Sequence, residues 1–339
     1  MTPDAPTHLS EEEIINLVAS LAGGAGGDLA VGIGDDCAVL GGAQSGLVVT
    51  TDLLVQGVHF ELELMSPADV GHRSMAANLS DLAAMGANPA YGFLSLGLPA
   101  HPQAAFVSQL VGSMVSQGRT YGLKLAGGDT VKSPQVVINL CLLGAMGNLE
   151  PLLRSGGRLG DAVCVTGLLG GSGAGLAWLR AGRDPHDPDA ADAVAAHCRP
   201  VPRLEAGRAL AESGRVHAMM DLSDGLASDL PRLARASGLG ALLEAERVPV
   251  APAAAVVAEA LQGDALGWAL AGGEDFELMF TCDPQDVALL TDLVMEEAAG
   301  LAVTQVGRLT QGPGVNLKKQ GKEEPITYMG YDHFRESAP

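Results

Sequence analysis

The sequence predicts an α/β protein divided into two domains. Its 339 residues are more than a domain with a single hydrophobic core usually contains. Of these residues 47% are hydrophobic, which is enough to form large cores. The 45 glycines and the aromatic content of 4% favour short elements joined by many tight turns. Because a new turn-then-strand pattern begins near residue 150, we predict one domain over residues 1–150 and a second over 151–339.

Helical and strand patterns alternate along the first domain. A helix is predicted over 8–24, where Ser10 and Glu13 form a capping box and Gly23 lies just past the end. The next run, 47–60, resembles a strand that is interrupted by polar residues at 50–52. The patterns that follow are a helix at 67–85, a strand at 90–99, a helix at 104–122, a strand end with a turn at 124–133 and an apolar strand at 135–147.

The second domain shows a similar alternation. Its patterns are a turn and strand at 159–167, a Pro- and Asp-rich surface excursion at 182–193, a strand, acidic turn and helix at 216–238, a turn and strand at 267–284 and a helix at 286–300. Ligands gather at the carboxyl ends of strands in α/β folds, so polar residues at such ends are candidates for a site.

Charge and cysteine content narrow the range of partners. The 40 acids against 20 bases give a net charge of −20, which argues against nucleic acid and against an anionic membrane surface. The N-terminus lacks an apolar signal-peptide core, and no apolar run approaches the ~18 residues of a membrane span. We therefore expect a cytoplasmic protein with buried free thiols, at Cys37, Cys141, Cys164, Cys198 and Cys282.

Several acids stand at predicted element ends among apolar or glycine residues. They are Asp35, Asp36, Asp52, Asp81, Asp129, Asp221 and Asp224. Any one of them could simply cap a turn, but adjacent carboxylates beside buried strands need a cation to neutralise them. Mg²⁺ prefers oxygen ligands and joins carboxylates to substrate phosphates, so several Mg²⁺ ions would account for the set.

Other phosphate-binding signals are weak. The sequence holds no P-loop, no protein-kinase motif and no dinucleotide-binding fingerprint with its partner acid. The glycine-rich run at 166–179 could cradle an anion at a helix N-terminus, although such helix starts are common. Lys132 and Arg154 lie beside glycine turns and could equally be surface charges, and His59 could be an ordinary core histidine.

Taken together, eight motifs resemble the thiamine-monophosphate kinase family of the aminoimidazole ribonucleotide synthetase-like superfamily. They are GIGDDCAVL, TTDLLVQGVHF, NLSDLAAMGANP, LAGGDT, LLRSGGRLGD, DLSDGLASDL, LAGGEDFEL and YMGYDHF. The resemblance spans about residues 30–334 in the family's order. It implies an N-terminal mixed sheet that pairs with its counterpart in a homodimer, followed by an α/β domain, with the site in a cleft that involves both domains and the dimer.

The resemblance also implies roles for individual residues. Mg²⁺ is expected at Asp36, Thr50, Thr51, Asp52, Asp81, Asp129, Asp221 and Asp224. ATP contacts are expected from Tyr121, Gly128, Asp129, Arg154 and Ser223. Contacts to thiamine phosphate are expected from His59, Glu274 and Tyr328.

The implied reaction transfers the γ-phosphate of ATP directly to thiamine monophosphate, with magnesium assistance and no phosphoenzyme. The acceptor is already a phosphate oxygen that is largely deprotonated at neutral pH, so no general base is expected. Two alternatives stay open. One is another ATP-dependent enzyme of the superfamily, such as selenophosphate synthetase, and the other is a non-catalytic module that binds nucleotide and Mg²⁺.

Overall fold

The structure, a computed structural model, describes Glu13, Ile15, Asn16 and residues 29–40 and 46–326. The helix predicted at 8–24 therefore lies largely outside the described residues. Two sheets with packed helices make up the described part, one in each half of the chain. This is the two-domain mixed α/β architecture that the sequence predicted.

The first sheet has six strands in the order β1-β2-β3-β6-β4-β5. Its strands are β1 (Leu29–Val31), β2 (Ala38–Leu40), β3 (Leu47–Val55), β4 (Asn88–Leu98), β5 (Lys124–Lys132) and β6 (Val137–Ala145). Two helices accompany it, α1 (Pro67–Ala84) and α2 (Ala104–Thr120). The start of α1 is fixed by a capping box, in which the backbone N–H of Asp69 donates to the Ser66 hydroxyl and the Asp69 carboxylate accepts from the Ser66 N–H.

The two faces of this sheet differ in composition. Along β3, Val48, Thr50 and Leu54 are buried, whereas Thr51 and Leu53 are exposed. This alternation follows from the period of two in a strand, and it assigns one face to the helix α1 and leaves the other open. The open face carries exposed apolar side chains on three strands, at Leu53, Tyr91, Phe93 and Val131.

The second sheet has seven strands in the order β13-β12-β9-β11-β7-β10-β8. In chain order the second half comprises β7 (Ala162–Thr166), α3 (Gly171–Arg180), α4 (Ala191–Cys198), α5 (Leu204–Ser213), β8 (Val216–Asp221), α6 (Leu226–Ala236), β9 (Gly240–Glu244), α7 (Pro252–Leu261), α8 (Ala265–Ala271), β10 (Leu278–Cys282), α9 (Val287–Glu297), β11 (Val303–Thr310), β12 (Val315–Lys319) and β13 (Lys322–Pro325). Every residue of β7 and β10 is buried, and each strand is apolar apart from one threonine.

Two sequence-based expectations differ from the structure. The run at 124–133 is a full strand rather than a strand end, since β5 pairs in parallel with β4 along its whole length. The strand needs glycine at this point because the backbones of β4 and β5 approach closely. A Cβ on Gly128 would lie 1.7 Å from the Leu94 carbonyl oxygen. The turn predicted before β10 contains the short helix α8, whose Ala- and Leu-rich sequence was hidden by the glycines that follow it.

The two halves meet where α1 crosses α5. Gly207 on α5 approaches α1 so closely that an added Cβ would lie 2.1 Å from the Ala83 carbonyl oxygen. One hydrophobic cluster runs through the contact and includes Leu82 and Leu210, both fully buried. Because α1 also carries site residues, this glycine contact sets their position relative to the second half.

Replacing Gly207 by Ala is expected to destabilise the protein by roughly 1–3 kcal/mol, because the new methyl group would push α1 and α5 apart. The matched control is Gly112→Ala on α2, where a Cβ meets nothing within 4 Å and better helix propensity should stabilise slightly. Urea unfolding of both variants measures the effect. Equal midpoints for the two would show that the helices can separate at no cost.

Within the part of the chain that the structure describes, no helix combines the length and apolar character needed to cross a membrane.

Candidate active site

Three carboxylates from distant parts of the chain converge between the two sheets. Asp36 precedes β2, Asp81 lies in the last turn of α1, and Asp221 ends β8. One oxygen from each lies within 4.8 Å of the others. Asp36 and Asp221 are buried, so their mutual repulsion is poorly screened by water. We refer to these three residues as the acid cluster.

Hydroxyl groups hold two members of the acid cluster in place. The Thr50 hydroxyl donates to Asp81, and the Ser80 hydroxyl donates to Asp221 over 2.7 Å. Asp52 lies on the same face of β3 as Thr50, with its backbone N–H bonded to the buried Asn78 amide oxygen at 3.2 Å. Asp81 therefore lies on a helix and Asp221 at the end of a strand, whereas Asp36 lies in the bend before β2.

Arg154 supplies positive charge to the adjacent acids. Its Nη2 donates to Asp36 Oδ1 over 2.7 Å, and its backbone N–H lies 3.2 Å from Asp35 Oδ2. Burial alone would lower the pKa of Arg154, but Asp36 outweighs that effect and raises it. One guanidinium cannot neutralise the whole group, since Asp81 and Asp221 make no ion pair among the described residues.

The pKa values record this excess of negative charge. Burial, followed by the charges of Asp52 and Asp221, raises the pKa of Asp81 well above its usual range. Burial and Asp36 do the same for Asp221 and raise the pKa of Asp52 to about 6. Raised carboxylate pKa values that are caused by burial and like charges together cluster at functional sites.

The donor set suits a hard divalent cation. The Asp36 Oδ2 atom is buried and finds no hydrogen-bond donor among the described residues, so an acceptor is left over at the centre of the cluster. Carboxylate and hydroxyl oxygens are the ligands that Mg²⁺ prefers. A dication held by Asp36, Asp81 and Asp221 would satisfy the orphaned oxygen and remove the repulsion between the acids.

The loop after β8 places two further predicted residues next to the cluster. Asp229 on α6 accepts from the backbone N–H groups of Ser223 and Asp224, at 3.1 and 3.0 Å, and so fixes the loop. Asp224 pairs with Arg232 over 2.5 Å. Asp229 was not among the acids expected from the sequence, although an acid in the first turn of α6, in DLSDGLASD, is a usable signal.

A cavity of about 350 Å³ adjoins this loop and β3. Five sequence-predicted residues line it: Asp52, His59, Ser223, Asp224 and Glu274. Its remaining wall is largely apolar, with leucine, valine and phenylalanine side chains. The cavity thus has acids at one end and room for an organic ring system beside them, as small-molecule sites commonly do.

The loop that bears Glu274 has an unusual backbone. Glu274 and Phe276 have positive φ angles, 57° and 49°, which residues other than glycine rarely adopt. Two hydrogen bonds hold them, from Glu274 N–H to the Ser223 carbonyl at 2.7 Å and from Phe276 N–H to the Leu222 carbonyl at 3.1 Å. Backbone held in this way is concentrated at functional sites. His59 also lines the cavity, and its Nδ1 accepts from the Val55 N–H at 3.1 Å.

Sequence reasoning missed a buried cation in the cavity wall. The side chain of Arg73 on α1 is 3% exposed and forms an ion pair with Glu274. Its Nη1 lies 2.9 Å from Nε2 of His197, whose pKa falls to about 2 because of burial and of the neighbouring positive charge of Arg73. Burial lowers the pKa of Arg73 itself to about 10, so it remains charged at neutral pH.

Some predicted residues are not brought to the acid cluster. Thr51 points to the open face of the first sheet, opposite to Thr50, because neighbouring side chains alternate along β3. Asp129 on β5 lies opposite Ser95 on β4, and Ser95 lies opposite Asn139 on β6. Asn139 in turn lies opposite Leu53 on β3, so Asp129 is three strands, or about 14 Å, from β3.

Of the residues expected to contact ATP, Arg154 and Ser223 lie at the site, whereas Gly128 and Tyr121 lie away from it. Gly128 is exposed on β5 beside Asp129, and Tyr121 ends α2, half-buried against the core. Tyr328 lies outside the described residues. Within one chain, the metal and substrate residues converge far better than the set expected to bind ATP.

The glycine-rich run at 166–179 does not present an open helix N-terminus. The carboxylate of Asp275 accepts from the Gly170 N–H at 2.7 Å and from the Ser172 N–H at 3.0 Å, and so occupies the start of α3. Burial raises the pKa of Asp275 to about 7. The Asp275 carboxylate therefore occupies the position that the sequence suggested for an external anion.

Comparison with known proteins assigns the family. The profile described as AIR synthase related protein, N-terminal domain, matches residues 34–146, and its C-terminal counterpart matches 158–320. The thiamine-monophosphate kinase of Salmonella typhimurium is 38% identical over 310 residues, which cover 91% of this chain and 93% of that protein. The Rhodopirellula baltica protein of the same name is 36% identical and covers 90% and 92%, respectively.

Solved structures agree with this assignment. One described as AaThiL complexed with AMPPCP and TMP has a TM-score of 0.83 and 31% identity, and the match covers 96% of this chain and 97% of that one. The thiamine-monophosphate kinase of Stenotrophomonas maltophilia has a TM-score of 0.75 and 33% identity, with 93% and 99% covered. With this identity along nine-tenths of its length, and with the acid cluster and cavity in place, the chain belongs to the thiamine-monophosphate kinase family of AIR synthase related proteins.

Proposed function

We propose that this protein is an ATP-dependent kinase that converts thiamine monophosphate to thiamine diphosphate. The observation that supports this most directly is the acid cluster beside a mainly apolar cavity, in a chain of this family. The related structure with AMPPCP, a non-hydrolysable ATP analogue, and TMP places both substrate types on the same fold. The acids suit phosphate binding through Mg²⁺, and the cavity suits the ring system.

The chain's own residues have to position two polyanions. Asp36, Asp81 and Asp221 would hold Mg²⁺, with Asp52 and Asp224 at the cavity edge. Bound Mg²⁺ supplies charge neutralisation on the transferring phosphoryl group. His59 and Glu274 would orient the acceptor so that its phosphate oxygen points toward the cluster. The oxygen is already ionised, so no residue needs to remove a proton.

The two alternatives from the sequence make different demands on the site. Selenophosphate synthetase chemistry would be expected to use a reactive cysteine, but Cys37 is 2% exposed and its thiol donates to the Asp81 carbonyl oxygen. Burial, reinforced by Asp81, raises its thiol pKa well above the usual value. A non-catalytic module that binds nucleotide and Mg²⁺ would use the same acids and cavity but would not turn over an acceptor.

An ADP-release assay over a panel of acceptors tests the function. With ATP and Mg²⁺, we expect ADP to form with thiamine monophosphate and not with free thiamine, sugar phosphates or selenide. Calorimetry on the same samples separates the alternatives, because binding of ATP and Mg²⁺ without turnover on any acceptor would identify a binding module and overturn the proposal.

We also propose that the protein works as a homodimer through the open face of the first sheet. That face exposes Leu53, Tyr91, Phe93 and Val131, an apolar surface that a second copy would cover. Asp129 and Thr51 lie on the same face. Because Asp129 is about 14 Å from β3 within its own chain, we infer that it serves the site of the partner subunit.

A mixed dimer tests this sharing of residues. Asp81→Asn and Asp129→Asn chains, each expected to be inactive alone, would be co-expressed with different affinity tags and purified through both. In a two-fold dimer with shared sites, one site collects both changes and the other is intact, so about half of the wild-type activity should return. A monomeric mass, or a mixed dimer as inactive as its parents, would contradict the proposal.

A further inference from the structure

We propose that Arg73 is a positioning residue that sets the specificity of the cavity for the pyrimidine end of the substrate. This inference rests on the proposed function and deepens it. Arg73 does not need to touch the substrate. It acts by holding Glu274, and it is itself held by His197.

The contacts of Arg73 fix the Glu274 carboxylate from the opposite half of the molecule. Arg73 belongs to α1, whereas Glu274 and His197 belong to the second half of the chain. Nη2 donates to Glu274, and Nη1 donates to a ring nitrogen of His197 and, at 3.3 Å, to its carbonyl oxygen. The His197 ring also lies 3.2 Å from the Ser172 hydroxyl on α3. A neutral imidazole can accept from Arg73 without repelling it.

The position of Arg73 on α1 relates it to the acid cluster. Arg73, Ala77 and Asp81 are spaced by four residues and share one face of the helix. Arg73 and Ala77 line the cavity, and Asp81 belongs to the cluster. The rise from Arg73 to Asp81 is about 12 Å. One rigid helix therefore sets the distance between Asp81 of the cluster and the Arg73 end of the cavity, where the Glu274 carboxylate is held.

The chemistry of that end fits an aminopyrimidine. Such a ring presents an amine, which donates, beside a ring nitrogen, which accepts. Glu274 offers acceptor oxygens for the amine, and the Arg73 guanidinium holds its carboxylate in place. Fixing the carboxylate in advance lowers the entropy lost on binding, and a site built for hydrogen bonds rejects ligands that lack them.

The test compares two acceptors in two enzymes. Thiamine monophosphate carries the pyrimidine, whereas N-methylated hydroxyethylthiazolium phosphate keeps the cationic ring and the phosphate but lacks it. In Arg73→Gln we expect KM for thiamine monophosphate to rise about 10–100-fold, with kcat changed less than about threefold and KM for ATP unchanged. The kcat/KM for the truncated acceptor should equal that of the wild type.

Two further variants guard against a folding artefact. His197→Asn should show the same preference in a weaker form, because it loosens Arg73 without removing it. The matched control is Arg199→Gln, which breaks an exposed ion pair to Asp69 on the same helix, with 58% of the Arg199 side chain exposed. It should behave as the wild type toward both acceptors.

The outcomes separate the two proposals. An equal fall of kcat/KM on both acceptors in Arg73→Gln, or no change on either, overturns the inference while the proposed function stands. A wild-type protein that phosphorylates neither acceptor overturns the proposed function, and the inference with it. Selective loss on thiamine monophosphate alone supports the role of Arg73.

Discussion

Replacing Asp81 by Asn is expected to lower kcat about 10²–10³-fold or more while leaving the fold intact. Asp81 and Asp221 approach Asp36 within 4.8 Å, so each would be a direct ligand of a shared cation. An amide keeps the shape of the side chain and can still accept from the Thr50 hydroxyl. It removes the negative charge on which cation affinity depends, so the loss should appear in turnover rather than in stability.

The stability readout makes this prediction specific. Since burial and the neighbouring charges of Asp52 and Asp221 raise the pKa of Asp81, the ionised residue destabilises the metal-free fold at neutral pH. Asp81→Asn and Asp221→Asn should therefore unfold at the same temperature as the wild type or higher. The control Asp292→Asn, on an exposed turn of α9, should change neither property. Turnover within about twofold of the wild type in both cluster variants would disprove the metal site.

The sequence predicted the members of the site better than their arrangement. Acids among apolar and glycine residues are unusual because buried charge is costly, and this pattern singled out seven acids. The structure brings Asp36, Asp81 and Asp221 together, whereas Asp129 lies apart from them. The opposite orientation of Thr51 was also accessible, since the period of two in LVVTTDLLV separates it from Thr50. The distance of Asp129 was not, because it depends on the strand order β3-β6-β4-β5.

Arg73 and His197 were hidden for a different reason. An arginine in an amphipathic helix resembles a solvent-exposed charge, and a histidine in an alanine-rich helix has no distinctive neighbours. Their role depends on contacts that form only in the folded chain. Arg73 contacts His197, which is 124 positions away, and Glu274, which is 201 positions away. Local patterns cannot report such contacts, so the fold was predictable from the sequence while the anchor of Glu274 was not.

Removal of divalent cations is expected to abolish turnover and to lower the stability of the protein in a pH-dependent manner. An unfolded Asp titrates near pH ~3.9, whereas the folded pKa of Asp52 is about 6 and those of Asp81 and Asp221 are raised. The folded metal-free protein therefore binds more protons than the unfolded chain. Its stability is fully present below about pH 4 and falls as the pH rises through about 6 and beyond.

Bound Mg²⁺ should reverse this loss, because it compensates the ionised carboxylates and binds only the folded state. We expect the increase in Tm on adding Mg²⁺ to EDTA-treated protein to be larger at about pH 8 than at about pH 5. Asp229 and Asp275 also have raised pKa values, of about 7, but they are held by protein groups, so the difference with and without Mg²⁺ isolates the cluster. The variant Asp221→Asn should show a smaller increase with a weaker dependence on pH. If Tm increased equally at both pH values, or if Asp221→Asn retained the full increase, Mg²⁺ would bind elsewhere. The buried Asp36 Oδ2 atom, which has no hydrogen-bond partner among the described residues, would then need another explanation.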